Sequence, residues 1–216
     1  MAISEADLSR IAASVDEDRL WRMHMEMAKF GATEKGGVCR EALTPEDNQA
    51  RKLLAEWAAE LNCHVSMDAI GNMYVRRPGS DTSAAPAATG SHLDSQPTGG
   101  KFDGAFGVLA GMEALYALDA AGITTTRPIE VINFTNEEGG RFQPGVMGSQ
   151  VYARPEELGR MLNVIGQDGV KLADALAETR NVLGPLDDHP FKAEVAGFVE
   201  AHIEQAPRLE ETGNTI

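Results

Sequence analysis

Residues 90–107 read Gly-Ser-His-Leu-Asp-Ser-Gln-Pro-Thr-Gly-Gly-Lys-Phe-Asp-Gly-Ala-Phe-Gly, and this stretch constrains the fold more than any other. It follows a short apolar run and precedes an apolar pattern at helical spacing, so it must be a sharply bent strand-to-helix connection. His92, Asp94 and Asp103 stand on that one connection. An imidazole and carboxylates held by glycine-rich backbone suggest half of a metal site.

The flanking pattern alternates. Residues 4–30 repeat apolar side chains at helical spacing in two pieces, with Asp16 or Asp18 as cap of the second. The Met-rich stripe and His24 on that helix read as core. Thr44-Pro45-Glu46-Asp47 opens another helix, its acids facing the helix dipole and Leu53, Leu54, Trp57 and Leu61 forming its apolar face. Strand signals follow at 63–67 and 72–77, then a Pro/Ser-rich loop at 78–86 and a small-residue strand at 87–93. Residues 107–121 are helical, stopped by Gly122, and 129–134 is a β-branched strand ending before Glu137 and Glu138. Short helices are expected at 156–162 and 171–179, and a last strand at 195–203 carries His202 and Glu204 at its end. Strands alternating with helices indicate an α/β sheet, whose ligands gather at the carboxyl ends of the strands.

With 216 residues the chain can bury one full core. Its 33 acidic against 19 basic residues give a formal charge of −14, which disfavours nucleic acid and anionic membrane surfaces as partners. Cys39 and Cys63 match no zinc or redox spacing and are expected to be reduced, in keeping with a cytoplasmic protein. The N-terminus lacks the apolar core of a signal peptide, and no apolar run approaches the roughly 20 residues that span a bilayer.

Three strand ends therefore offer ligands: His92 and Asp103, Glu137 and Glu138, and His202 with Glu204. Imidazole with carboxylate suits zinc or a neighbouring transition metal. Two adjacent acids can divide the labour, one binding metal and the other acting as general base. Each element taken alone has an ordinary reading: a solvated turn for Glu137-Glu138, or a core histidine for His202.

In order along the chain, the 90–107 stretch, the run from Pro128-Ile129-Glu130-Val131 through Phe134-Thr135-Asn136-Glu137-Glu138-Gly139 to Arg141-Phe142, and His202-Ile203-Glu204-Gln205 with Pro207 and Leu209-Glu210 resemble a known family. It is the hydantoinase/carbamoylase-type dinuclear zinc amidohydrolases: N-carbamoyl-L-amino-acid hydrolase, β-ureidopropionase and allantoate amidohydrolase, relatives of the aminoacylase and carboxypeptidase-like metallopeptidases. The resemblance implies a three-layer mixed sheet with helices on both faces. It implies that His92 and His202 hold one metal, Asp103 bridges two, and Glu138 binds the second. Glu137 would be the general base, Asp94 would orient His92, and Gln205 would lie near substrate. A cis Asp103–Gly104 peptide is implied as well. The ions would be two per complete site, zinc first, with manganese, cobalt or nickel as alternatives. The implied reaction is hydrolysis of a carbamoyl or ureido C–N bond in a small-molecule substrate, in a homodimeric enzyme.

Two departures qualify the resemblance. Ala206 stands where the family has glycine. Members are also about twice as long, adding a lid and dimerisation domain and a returning segment with a final histidine for the second metal. Residues 1–216 thus correspond to the N-terminal portion of the catalytic domain, with three ligands for the first ion and only Asp103 and Glu138 for the second. Three further expectations follow: a weak or absent second ion, self-association through an uncovered sheet edge, and, as alternatives, deacylase or peptidase chemistry or an inactive fragment or interaction module.

Overall fold

A computed structural model describes residues 4–214. The two N-terminal helix pieces are α1 (Glu5–Ala13) and α2 (Glu17–Met27), and Asp16 caps the second by accepting from the Arg19 N–H. α3 (Pro45–Glu60) starts at Thr44, whose hydroxyl accepts from the Asp47 N–H. β1 (His64–Met67) and β2 (Met73–Arg77) form an antiparallel pair. β3 (Ala87–His92), α4 (Ala105–Ala120) and β4 (Ile129–Phe134) then make a parallel crossover unit. α4 begins two residues before the apolar periodicity does, because Gly104 makes the turn into it.

The sheet order is β5-β1-β2-β4-β3-β6, with β5 (Asp187–Asp188) and β6 (Gly197–Val199) as short edges. Antiparallel and parallel pairings coexist, so the sheet is mixed. On one face α2, α3 and α4 close a core around Met27, Leu54, Met73, Val75, Leu109, Met112 and Val131. On the other, Tyr74, Ala88 and Ile132 pack with Tyr152 of α5 (Met147–Ala153) and Val195. α5, α6 (Leu158–Met161) and α7 (Leu172–Leu183) share a second core around Ile70, Phe142, Met161 and Leu176. The architecture is α/β with helices on both faces, as the sequence implied.

Three local expectations are corrected. The helix at 171–179 extends to Leu183, where Gly184 at φ 77° ends it. α5 was not anticipated, since Met-Gly-Ser-Gln-Val-Tyr-Ala carries too few apolar repeats to announce a helix. The last strand shrinks from 195–203 to three residues, because β6 pairs only with Ala87–Thr89 of β3 and has no neighbour outside it among the described residues. His202 therefore lies in the connection beyond the strand, before the short helix α8 (Arg208–Thr212).

What positions the site is the register at the sheet centre. His92 pairs with Phe134, so the connections leaving β3 and β4 emerge side by side. β6 runs parallel to β3, and its end opens onto the same edge. Gly90 permits this close pairing: a Cβ there would lie 2.0 Å from the Ile132 carbonyl oxygen, with φ at 144°.

Candidate metal centre

His92 ends β3 with 1% of its side chain exposed, and its ring orientation is fixed from the Nδ1 side. Nδ1 lies 2.8 Å from the Asp94 backbone carbonyl, an acceptor only, so Nδ1 carries the proton and Nε2 presents its lone pair. The Asp94 carboxylate stands farther off, 3.8 Å from Nδ1. The orientation expected of Asp94 thus comes chiefly through its backbone. Its carboxylate takes another task and accepts from the N–H groups of Glu137 and Glu138 at 3.2 Å each. One buried side chain thereby ties the β3 connection to the β4 connection. Burial pushes the Asp94 carboxyl up to about 6, against the Glu137 and Glu138 N–H groups that favour its charged form.

The scaffold behind these residues is built of buried polar groups. Asn133 accepts from the Leu93 N–H at 2.9 Å, and Arg40 donates to the Leu93 carbonyl at 2.7 Å and to the Met27 carbonyl at 2.9 Å. Arg51, fully buried with Asp47 at 2.8 Å, reaches the Gly71 carbonyl and the Thr135 hydroxyl. Such residues gave no signal in the sequence, because a charged residue on a helix or in a loop normally faces water.

Asp103 follows on the same connection. Gly104 takes φ 62°, and a Cβ there would fall 2.2–2.4 Å from the His92 ring atoms, so only glycine lets the chain turn against that imidazole. The Asp103–Gly104 bond is trans, contrary to the implied cis form. Among the described residues the cis bond is Gln143–Pro144.

His202 arrives from the β6 side. Its Nδ1 lies 3.0 Å from the Ile203 carbonyl, which again protonates Nδ1 and frees Nε2. Nε2 stands 3.4 Å from Asp103 Oδ1, and the two imidazoles lie 5.8 Å apart between centroids. Among the described residues, His92, Asp103 and His202 form the one grouping whose ligand atoms all fall within 4.8 Å of one another. His92 Nε2 and Asp103 Oδ1 are buried with no hydrogen-bond partner. Two imidazole lone pairs and an orphaned carboxylate oxygen converging on one point fit a divalent cation, and a His/His/Asp donor set suits zinc.

The remaining candidates are arranged around that trio. Glu137 Oε2 lies 3.5 Å from His92 Nε2, with about a third of the side chain exposed. Glu138 stands outside the trio. Its Oε2 accepts from the Gln96 amide at 2.7 Å, and its Oε1 is buried and unpartnered. Gln205 donates from its amide to Asp103 Oδ2 at 2.7 Å. Gln96 is a residue that sequence reasoning passed over, since an amide two positions after Asp94 carries no distinguishing pattern. Beside His202 opens a cavity of about 760 Å³, walled by Phe102, Phe106, Ala201, Ile203 and Leu209.

The chain is similar to known proteins in sequence and in fold. The model of "Peptidase family M20/M25/M40" matches residues 88–216. An N-carbamoyl-L-amino-acid amidohydrolase of Rhizobium meliloti is 42% identical over 203 residues, covering 94% of this chain and 48% of that protein. A ureidoglycolate hydrolase of Oryza sativa subsp. japonica is 37% identical over 206 residues, covering 94% and 43%. A crystal structure of a hydantoinase/carbamoylase family amidase from Burkholderia multivorans superposes with a TM-score of 0.86 at 46% identity, covering 92% of this chain and 48% of the other. The chain spans about half the length of the curated relatives it matches. No helix among the described residues is long and apolar enough to cross a membrane. Since the matching model takes in more than half of the sequence and every candidate ligand, the chain belongs to peptidase family M20/M25/M40.

Proposed function

We propose that this chain carries the metal-binding part of an amidohydrolase that cleaves a carbamoyl or ureido C–N bond in a small amino-acid derivative. The observation that carries the reading is the convergence of His92 Nε2, His202 Nε2 and Asp103 Oδ1 beside the Glu137 carboxylate. Relatives named as N-carbamoyl-L-amino-acid amidohydrolase and ureidoglycolate hydrolase support the bond type.

His92, His202 and Asp103 would hold the first ion, zinc before manganese, cobalt or nickel, and Asp103 with Glu138 would contribute to a second. A divalent cation bound there supplies Lewis-acid polarisation of the substrate carbonyl and makes water acidic enough to attack near neutral pH. Glu137 acts as general base: its carboxylate takes the proton from the attacking water and returns it to the leaving nitrogen. Asp94 keeps His92 and the Glu137–Glu138 turn in one arrangement through the contacts at its carbonyl and carboxylate. The cavity beside His202 falls within the roughly 300–1,000 Å³ of small-molecule sites. Gln205, bonded to Asp103, is a candidate substrate contact.

The chain is read as the N-terminal portion of the catalytic domain of a cytoplasmic enzyme; the free thiols Cys39 and Cys63 support that compartment. Its partner is a second copy. The β6 edge, with Val199 72% exposed, offers a strand surface for such pairing.

The experiment is an assay of the full-length gene product on N-carbamoyl amino acids and allantoate with zinc, manganese or cobalt added. Glu137→Gln is expected to lower kcat by about 100-fold or more, and full activity in that variant would remove Glu137 from its role. The peptidase family model supports a second reading, N-acyl or dipeptide hydrolysis. Faster turnover of those substrates than of carbamoyl ones would favour it. Metal binding without turnover of either class would favour an inactive or binding role.

A further inference from the structure

Within the metal-dependent reading above, we propose that two glutamine amides govern how many ions this site accepts. Gln96 is a positioning residue that aims Glu138, while Gln205 covers the Asp103 oxygen that a second ion requires.

The two contacts look alike. Each amide donates at 2.7 Å to one oxygen of a carboxylate, Gln96 to Glu138 Oε2 and Gln205 to Asp103 Oδ2. In each carboxylate the other oxygen, Glu138 Oε1 or Asp103 Oδ1, is buried and unpartnered. The amide thus fixes which oxygen faces inward, as outer hydrogen bonds orient first ligands in metal sites generally.

Their consequences for a second ion are opposite. A carboxylate that bridges two cations gives one oxygen to each, and Asp103 Oδ1 already faces His202 Nε2 at 3.4 Å. The oxygen left for a second cation is Oδ2, where the partly positive N–H of Gln205 stands. Amide and ion compete for it. Glu138 meets no such conflict, because its free Oε1 is the oxygen that would bind, and Gln96 holds it from behind.

The two amides also differ in how firmly they are held. Gln96 uses its NH2 group twice, adding a contact at 3.3 Å to the Glu138 carbonyl. Gln205 makes one contact, from an exposed stretch without regular structure. Gln205 can therefore swing off Asp103 for the loss of that one hydrogen bond, whereas Gln96 stays. Loading is then ordered, the first ion on His92, Asp103 and His202, the second only as Gln205 releases Oδ2.

The test is calorimetric titration of the metal-stripped full chain with Zn²⁺, for the unsubstituted protein, Gln205→Met and Gln96→Met. Both side chains are exposed, so the substitutions remove an amide without touching the core. Gln205→Met is expected to bind the second ion about tenfold more tightly, and Gln96→Met about tenfold more weakly, each the worth of one hydrogen bond to a charged group. In Gln96→Met the first ion should change little, because Gln96 bonds Glu138 and none of the three residues that hold that ion. If the unsubstituted chain takes up one ion only, Gln205→Met should take up a second. Unchanged or weaker second-ion binding in Gln205→Met, or no weakening in Gln96→Met, overturns the proposal while leaving the metal site intact. A chain that binds no Zn²⁺ overturns both.

Discussion

The two walls of the site are built to different standards. The wall made by β3 and β4 is buried and cross-tied: His92, Asp94, Asn133, Thr135 and Asn136 are all at most 2% exposed. Arg40 and Asn72 hold its backbone from behind, and Arg51 donates to the Thr135 hydroxyl. The wall that brings His202 and Gln205 hangs on a three-residue edge strand, and Phe198, Val199 and Ile203 along it are exposed. One half of the candidate ligand set is thus fixed by the core of this chain, and the other is only docked against it. Ligand geometry on the first wall should survive perturbation of the second, but not the reverse.

The difference between the walls shows most clearly when one side chain is removed from each. Asp94→Ala strips the acceptor from the N–H groups of Glu137 and Glu138, and should cost about 3 kcal/mol of stability in urea unfolding of the metal-free chain. His202→Ala removes a ligand from an exposed connection, and should cost less than about 0.5 kcal/mol in the same experiment. Equal losses would erase the distinction between the walls.

Next in size is Gly104→Ala. A Cβ placed against the His92 ring in a left-handed turn should cost about 2 kcal/mol and displace the imidazole. Thermal unfolding reads the loss, and the shift of the His92 ring resonances reads the displacement.

A smaller effect belongs to α2, where His24 packs at 5.2 Å from Phe102 and 5.9 Å from Phe106. Burial without a partner lowers His24 to about 4 from an ordinary 6.5. The folded state therefore resists the proton that the unfolded chain accepts. Stability is full above pH 6.5 and falls as pH drops toward 4, by about 1 kcal/mol at pH 5.5. His24→Leu should remove that component from a pH series of urea unfolding curves. An unchanged slope between pH 6.5 and 4 would place the titration elsewhere.

The mildest probe uses no mutation. Amide hydrogen exchange should be slow across Ile129–Phe134 and fast across residues 197–205, reflecting local opening of the edge. Comparable protection in both would mean that the second wall is as firmly held as the first.

Much of this was legible in the sequence. The caps at Asp16 and Thr44, the central strands and all the ligand candidates could be read because each rests on local chemistry: a side-chain acceptor, a β-branched run, a glycine-rich bend. What could not be read depends on partners distant in the chain. The length of β6 is set by what pairs with it, so nothing within 195–203 marks where the strand stops. Asp94 looked like a partner for His92, and only the fold turns its carboxylate toward the Glu137–Glu138 backbone. Gln96 and Gln205 act across 42 and 102 residues of sequence, beyond any local pattern.

The central claim is that two walls of unequal rigidity share one ion through His92, Asp103 and His202. It is tested most directly by titrating Zn²⁺ into the metal-stripped chain and its His92→Ala, Asp103→Ala and His202→Ala variants. One tightly bound ion is expected in the unsubstituted chain, and a loss of about 100-fold or more in affinity from each single substitution, as removal of one of three ligands requires. Undiminished affinity in His202→Ala would contradict it, because the site would then belong to the β3–β4 wall alone.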